Sequence, residues 1–299
     1  MAETGAGGRR WRSGQTSGAA GQGEKSVLSG QRGGQPARMN ELPVALSIAG
    51  SDSGGGAGVQ ADLLTFAANG VFGTTAITCL TAQNPDGVSG VVALEPEFVA
   101  EQARQVFRFF AVRAVKTGML FNAPIIGAVA GLLREHREIP VVVDPVMVAT
   151  SGAALLQTEA VAAVSAQLLP LAALVTPNLD EAAVLLGRRP GDEAEMRAGA
   201  LELAKRFGVP FLLKGGHLHG NELVDVLATP DGGLSRWAGL RIEGVDTHGS
   251  GCTLSSAIAA QLALGRALSD AVAAGRDYLR RGLERGAAVA GRTFIAHLV

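Results

Sequence analysis

From Val44 onward, short apolar runs alternate with stretches whose apolar residues recur every three to four positions. The runs Val44 to Ala49, Thr74 to Leu80, Ala114 to Thr117, Val141 to Asp144, Leu174 to Thr176 and Phe211 to Lys214 are largely apolar on both faces. Runs of that length and character predict the strands of a parallel sheet covered on two sides. The intervening segments read as helices. Pro96 suits a first helical turn, and the apolar face that follows includes Val99, Val106 and Phe110. Asp192 with Glu195 three residues later predicts another helix start, with Met196, Ala200, Leu203 and Phe207 turned inward. Leu223 to Leu227 and Leu234 to Ala238 flank Thr229-Pro-Asp-Gly-Gly and predict a hairpin at a sheet edge. Two helices, Gly251 to Leu264 and Leu268 to about Ala288, close the chain, and no repeat of fixed period interrupts the pattern. The expectation is one doubly wound α/β domain over residues 39–299, with ligand sites beyond the carboxyl ends of its strands.

Composition changes this picture in three places. Residues 1–38 hold ten glycines, six Lys/Arg and almost no large apolar side chains, which predicts a disordered extension. An organelle transit peptide or basic tail would be Arg-rich and acid-poor in the same way, but the glycines oppose the amphipathic helix a transit peptide needs. We therefore expect translation of the folded chain to begin at Met39. A net charge of −1 over 299 residues offers no whole-chain attraction to nucleic acid or an acidic membrane surface. Only two cysteines, Cys79 and Cys252, exclude a disulfide framework and a four-thiolate zinc site, and no apolar run is long enough to span a bilayer. These bounds predict a cytoplasmic protein of a reducing compartment.

Four predicted strand ends carry residues that a connector would not need. Ala49-Gly-Ser-Asp-Ser-Gly-Gly-Gly-Ala-Gly-Val-Gln-Ala-Asp62 follows a strand and feeds a helix, so its bare amides would face the crevice. Gly56, Gly58 and Ala61 meet only the loosest dinucleotide fingerprint, the next strand ends at Thr81 rather than an acid, and no P-loop Lys follows. A flexible connection is the plain alternative, against which stand five glycines between Gly50 and Gly58. Val141-Val-Val-Asp-Pro-Val146 and Thr176-Pro-Asn-Leu-Asp-Glu181 place Asp144, Asn178 and Glu181 at two further ends. Such groups suit a hydrated Mg²⁺, which keeps several waters and takes few protein ligands. Asp144 could instead be a helix cap, and Glu181 a first-turn carboxylate favoured by the helix dipole. Finally, Val245-Asp-Thr-His-Gly-Ser-Gly-Cys-Thr-Leu254 opens a helix with a Gly-Ser-Gly turn, where free amides and the positive dipole end form an anion site. Cys252 lies in that turn, where thiolate formation is favoured, although a buried inert cysteine is the commoner use of the residue.

Other chemistries lack their residues. There is no Gly-x-Ser-x-Gly elbow and no His-Glu-x-x-His pair. His217 and His219 flank a loop, and of the two only His217 is a candidate for ligand contact. Trp11 and Trp237 belong to no basic and aromatic pattern that would stack on bases.

The combined pattern resembles the ribokinase-like superfamily, and within it the hydroxymethylpyrimidine/phosphomethylpyrimidine kinases of thiamine synthesis. The resemblance runs from about Val44 to the last helix. It rests on segment 49–62 above, Thr-Ala-Gln-Asn (81–84), Lys-Thr-Gly-Met-Leu (116–120), Asp-Pro-Val-Met (144–147), Thr-Pro-Asn-Leu-Asp-Glu-Ala (176–182), Lys-Gly-Gly-His (214–217) and Thr-His-Gly-Ser-Gly-Cys-Thr-Leu (247–254), in that order. The sequence departs from the family at its glycine-rich leader and at Thr293 to Val299, which lack the usual Gly-Pro-x-x-His-type ending. The resemblance implies a ribokinase-like doubly wound fold and ATP-dependent phosphorylation of 4-amino-5-hydroxymethyl-2-methylpyrimidine, then of its monophosphate.

It also implies roles. Gln83 would read the aminopyrimidine edge, because an amide offers a donor and an acceptor side by side. Gly50, Asp62, Met119 and Val146 would surround the ring. The amides of Gly249, Ser250, Gly251 and Cys252 would stabilise the migrating phosphoryl group, and Cys252, which stands where most of the superfamily has an Asp base, would accept the alcohol's proton. Lys214, Asn178 and Thr247 would border ATP, though a strand-end lysine could equally be solvated, and Asp144 and Glu181 would place Mg²⁺ through waters. A pyridoxine or pyridoxal kinase, or an enzyme acting on both rings, shares this architecture; a non-catalytic pyrimidine or nucleotide sensor is the alternative of another class. The implied partners are a small pyrimidine and ATP, with neither nucleic acid nor membrane. The edge hairpin could serve as a lid or as the contact of a homodimer.

Overall fold

The computed structural model describes residues 41–147, 158–216 and 221–299. The expectations for the leader, for His217 and for His219 lie outside the described residues. Those described form one unit, Glu41–Val299.

Alternation along the first strand sets the layering. In β1 (Val44–Ser51), Leu46 and Ile48 enter one apolar core while Ala45 enters another on the opposite face. The same alternation recurs in β4 (Val112–Thr117) and β5 (Val141–Val143), where Val115, Val141 and Val143 face the first core and Ala114 and Val142 the second. Both faces must then be covered. On the first lie α2 (Pro96–Phe109), α3 (Ala123–Glu135), α4 (Thr158–Ala163), α5 (Leu179–Leu186) and α6 (Glu193–Phe207). On the second lie α1 (Gly58–Ala68), α7 (Ser250–Ala263) and α8 (Leu268–Arg285).

The remaining strands are β2 (Phe72–Asn84), β3 (Gly87–Ala93), β6 (Leu174–Val175), β7 (Phe211–Lys214), β8 (Glu222–Ala228) and β9 (Leu234–Leu240). They join in the order β3-β2-β1-β4-β5-β6-β7-β8-β9. The six from β2 to β7 run parallel, and β3, β8 and β9 are antiparallel at the edges. All six predicted parallel strands and the edge hairpin are present. After β1 the chain first pairs on one side, with β2, and later on the other, with β4; a crevice opens at such a reversal.

Helix ends follow their sequence signals. Pro96 occupies the first turn of α2, and the Asp192 carboxylate accepts the Glu195 amide at the start of α6. Glu195 does not complete a reciprocal capping box; its carboxylate accepts from Gly191 instead. Met196, Ala200 and Leu203 are buried as expected.

Two features depart from the sequence reading. β2 continues to Asn84 and pairs with β3, a strand whose glycines and exposed face hide it from an apolar pattern. The last helix ends at Arg285, not near Ala288: Gly286 turns the chain, and β10 (Ala287–Val289) pairs with β11 (Arg292–Phe294). The divergent C-terminus nevertheless packs, with Tyr278 Oη donating to the His297 carbonyl and Ile295 buried. No helix among the described residues is long and apolar enough to cross a membrane.

Candidate functional site

Two glycine turns meet at the mouth of the crevice. Gly249 caps α7 in the left-handed region, φ 80°, and a Cβ there would lie 1.8 Å from the Gly56 carbonyl oxygen. Only glycine satisfies both the dihedral and the approach. The Ser250 amide is spent within the turn, donating to the Thr247 carbonyl at 3.0 Å. Of the four amides expected to bind an anion, this one is therefore turned to structure, while those of Gly251 and Cys252 belong to the helix's first turn, whose N–H groups point out along the axis. A Cβ on Gly251 would come 3.2 Å from Lys214 Nζ and 3.4 Å from an Asp144 carboxylate oxygen, so the turn abuts both groups.

Asp144 and Lys214 are an ion pair at 3.0 Å, with the carboxylate 3% exposed. Thr176 and Ser255 hydroxyls add longer contacts, 3.3 and 3.4 Å, to Asp144. The alternative of a solvated Lys214 thus gives way to a paired, half-buried cation. Burial opposes its charge, but Asp144 and Glu181 outweigh it and hold its pKa above the ordinary lysine value. Asn178 and Glu181 form a reciprocal capping box: Asn178 Oδ1 accepts the Asp180 and Glu181 amides, and Glu181 Oε2 accepts the Asn178 amide at 2.8 Å. Asn178 Oδ1 is therefore committed to the helix end. Burial pushes the Glu181 carboxyl up to about 7, with the Asp144 charge adding to the effect against Lys214. Two crowded buried carboxyls of this kind fit a divalent cation. Among the described residues no group of three or more His, Cys, Asp or Glu could hold a metal directly.

Cys252 lies in the first turn of α7, and its thiol receives the Gly58 amide. The expected ease of ionisation does not hold. Burial pushes this thiol up to about 11; Lys116 opposes the shift, and the Asp62 and Asp144 carboxylates reinforce it. Asp62 is held from several sides. It is fully buried, and its carboxylate accepts from Lys116 Nζ at 2.9 Å to each oxygen, from Ser47 Oγ at 2.5 Å and from Ser256 Oγ at 2.6 Å. A carboxylate so occupied is tied to β1, β4 and α7 at once.

The other ring-side candidates gather at the ends of β1, β2 and β4. A Cβ on Gly50 would lie 2.8 Å from Cys79 Sγ and 3.8 Å from Met119 Cβ, so the buried Gly50 and the half-buried Met119 form one shelf. Val146 follows Asp144 at the next strand end, also half-buried. Gln83 stands above, its amide 3.3 Å from His248 Nε2, and thus meets the loop that leads to Cys252. A depression of about 520 Å³ opens beside it, lined by Ser53, Asn84 and Asp86 among others.

Sequence reasoning passed over Asp52 and His248, although both stand inside quoted motifs. Asp52 accepts the Gly54 and Ala57 amides at 2.8 and 2.9 Å and lies 3.0 Å from His248 Nε2. Burial would raise Asp52, but His248 and the two amides prevail and hold it below the usual carboxylate range. The same contact holds His248 above its ordinary value against burial. This pair ties the first glycine loop to the second across 196 residues. A histidine just before Gly-x-Gly was the available signal.

The matching family model is phosphomethylpyrimidine kinase, over residues 52–295. The chain is 52% identical over 241 residues to a hydroxymethylpyrimidine/phosphomethylpyrimidine kinase of Rhizobium meliloti, covering 80% of this chain and 90% of that one. It is 49% identical to the thiamine biosynthesis bifunctional protein ThiED of Geobacter sulfurreducens, over 78% of this chain and 48% of that protein. Among solved structures it is similar to an ADP complex of Bacillus subtilis pyridoxal kinase, with a TM-score of 0.78 and 32% identity over 86% of this chain and 98% of that one.

Proposed function

The chain belongs to the phosphomethylpyrimidine kinase family, and we propose that it phosphorylates 4-amino-5-hydroxymethyl-2-methylpyrimidine and then its monophosphate at the expense of ATP, in thiamine biosynthesis. The observation that carries this reading is the approach of the Gln83 amide, at 3.3 Å, to His248 in the turn that leads to Cys252. One end of the crevice can then read a ring edge while the other faces phosphate.

In this reading the ring rests on the shelf of Gly50 and Met119, near Val146, with Gln83 at its polar edge. The hydroxymethyl group points toward Cys252. The outward amides of α7 and the Lys214 ammonium oppose the charge on the phosphoryl group as it moves; one such amide contributes about 3 kcal/mol by analogy with oxyanion donors. Thr247 borders the nucleotide. Mg²⁺ would neutralise phosphate charge, held through water by Asp144 and Glu181. The alcohol's proton passes to the thiolate form of Cys252. Because the thiol is protonated near neutrality, only a minor fraction is competent there, and turnover should climb with pH.

A coupled assay of ADP release tests this: pyrimidine-dependent release with the alcohol and again with the monophosphate is expected. No ADP release with either would leave a nucleotide-binding regulator. The similarity to pyridoxal kinase makes the pyridine ring the second reading. We expect kcat/KM for the pyrimidine to exceed that for pyridoxal at least tenfold; the reverse order would reassign the substrate.

A further inference from the structure

Beneath the first turn of α7 lies a closed set of polar groups. Ser47 and Lys116 are register partners on adjoining strands, so their side chains rise from the same face of the sheet. Gly58 and Asp62, four apart on α1, oppose Cys252 and Ser256, four apart on α7. The Gly58 amide donates to the thiol, Ser256 Oγ donates to Asp62, and Lys116 Nζ donates to both oxygens of that carboxylate. Ser47, Asp62, Lys116 and Ser256 are all fully buried. Apolar side chains could fill this space without stripping water from two charges, so packing alone does not call for a lysine.

We infer that Lys116, anchored by Asp62, is a positioning residue for phosphoryl transfer: it fixes a positive charge under Cys252 that stabilises the sulfur anion needed to receive the alcohol's proton. The inference rests on the reading of Cys252 as proton acceptor. The cycle balances. The Sγ–H proton first leaves to solvent; the hydroxymethyl proton then moves to Sγ as its oxygen bonds phosphorus and the bond from phosphorus to the ADP oxygen breaks. The thiol is regenerated, and one proton is released per turnover. The charged groups that act on the sulfur are Lys116 from β4, Asp62 from α1, Asp144 from the end of β5 and Lys214 from β7, with the Gly58 amide adding a donor.

The test is alkylation of Cys252 by iodoacetamide between pH 6 and 10 on the full chain, resolved by peptide mass so that Cys79 is counted separately. Lys116→Met should alkylate at least tenfold more slowly at pH 8.5 and lose at least tenfold in kcat, with KM for the hydroxymethylpyrimidine changed less than threefold. Because Lys116→Met strands Asp62, the neutral pair Lys116→Met/Asp62→Asn provides a second variant that keeps an acceptor for Ser47 and Ser256. It should alkylate at least threefold more slowly. A parental alkylation profile in either folded variant overturns the inference. Full turnover by Cys252→Ala would instead overturn the proton-acceptor reading, whatever the alkylation rates, so the two failures are distinct.

Discussion

Cys252 shows how one position can be legible in type and misleading in state. Its place at a helix start argues for an easily ionised thiol. Enclosure and two carboxylates overrule the dipole and move the pKa the other way, to about 11. A proton acceptor of that kind predicts kcat rising with pH across about 7 to 10, with a logarithmic slope near one. Cys252→Ser and Cys252→Ala should each lose about 10²- to 10³-fold and flatten that slope. Near-parental rates in both, read in steady-state assays, would end the role. Gly249 makes a sharper case, because its φ and the 1.8 Å approach to Gly56 leave no room for a methyl group. Gly249→Ala should force the two loops apart and reduce kcat at least 100-fold, while the far sheet edge keeps its circular dichroism.

At the scale of elements, each glycine loop is held from the side by the other. Asp52 and His248 form that bond, and its strength depends on pH in a definable direction. The His248 pKa is raised above 6.5, so its contribution is complete below that value and declines as pH climbs through the folded pKa. The Asp52 contribution runs oppositely, present above 3.8 and lost as acid protonates the carboxylate. The difference in melting temperature between the parent and His248→Gln should therefore be widest near about pH 5 to 6 and narrow toward pH 9. A gap independent of pH would mean the pair carries no charge interaction. A simpler element test lies at α6, far from the chemistry. Asp192→Ala removes the acceptor for the Glu195 amide and should cost about 1 kcal/mol in denaturant unfolding, with turnover unchanged.

Across the whole molecule, what was readable from the chain followed burial. The six parallel strands announced themselves because both their faces are apolar, and Asp192 and Pro96 marked helix starts through local hydrogen-bonding chemistry. β3 was invisible since Gly87-Val-Ser-Gly-Val-Val-Ala lies at an edge with little to bury, and the β10–β11 hairpin because its signal is one turn at Gly286. In the site, glycines and strand-end acids were legible by type. The pairing of Asp62 with Lys116 and Ser256 was not, since it depends on which residues lie across the interior. The same division predicts dynamics. Amides in β1 and β4 sit between two cores and should exchange with deuterium only by global unfolding, whereas those of β3, β9 and the terminal hairpin should exchange through local opening. Adding ATP and the hydroxymethylpyrimidine should slow exchange at residues 52–58 and 246–252, the two loops that Asp52 and His248 join, and leave β9 unchanged. Protection confined to β8 and β9 would move the binding site to the wrong edge of the sheet.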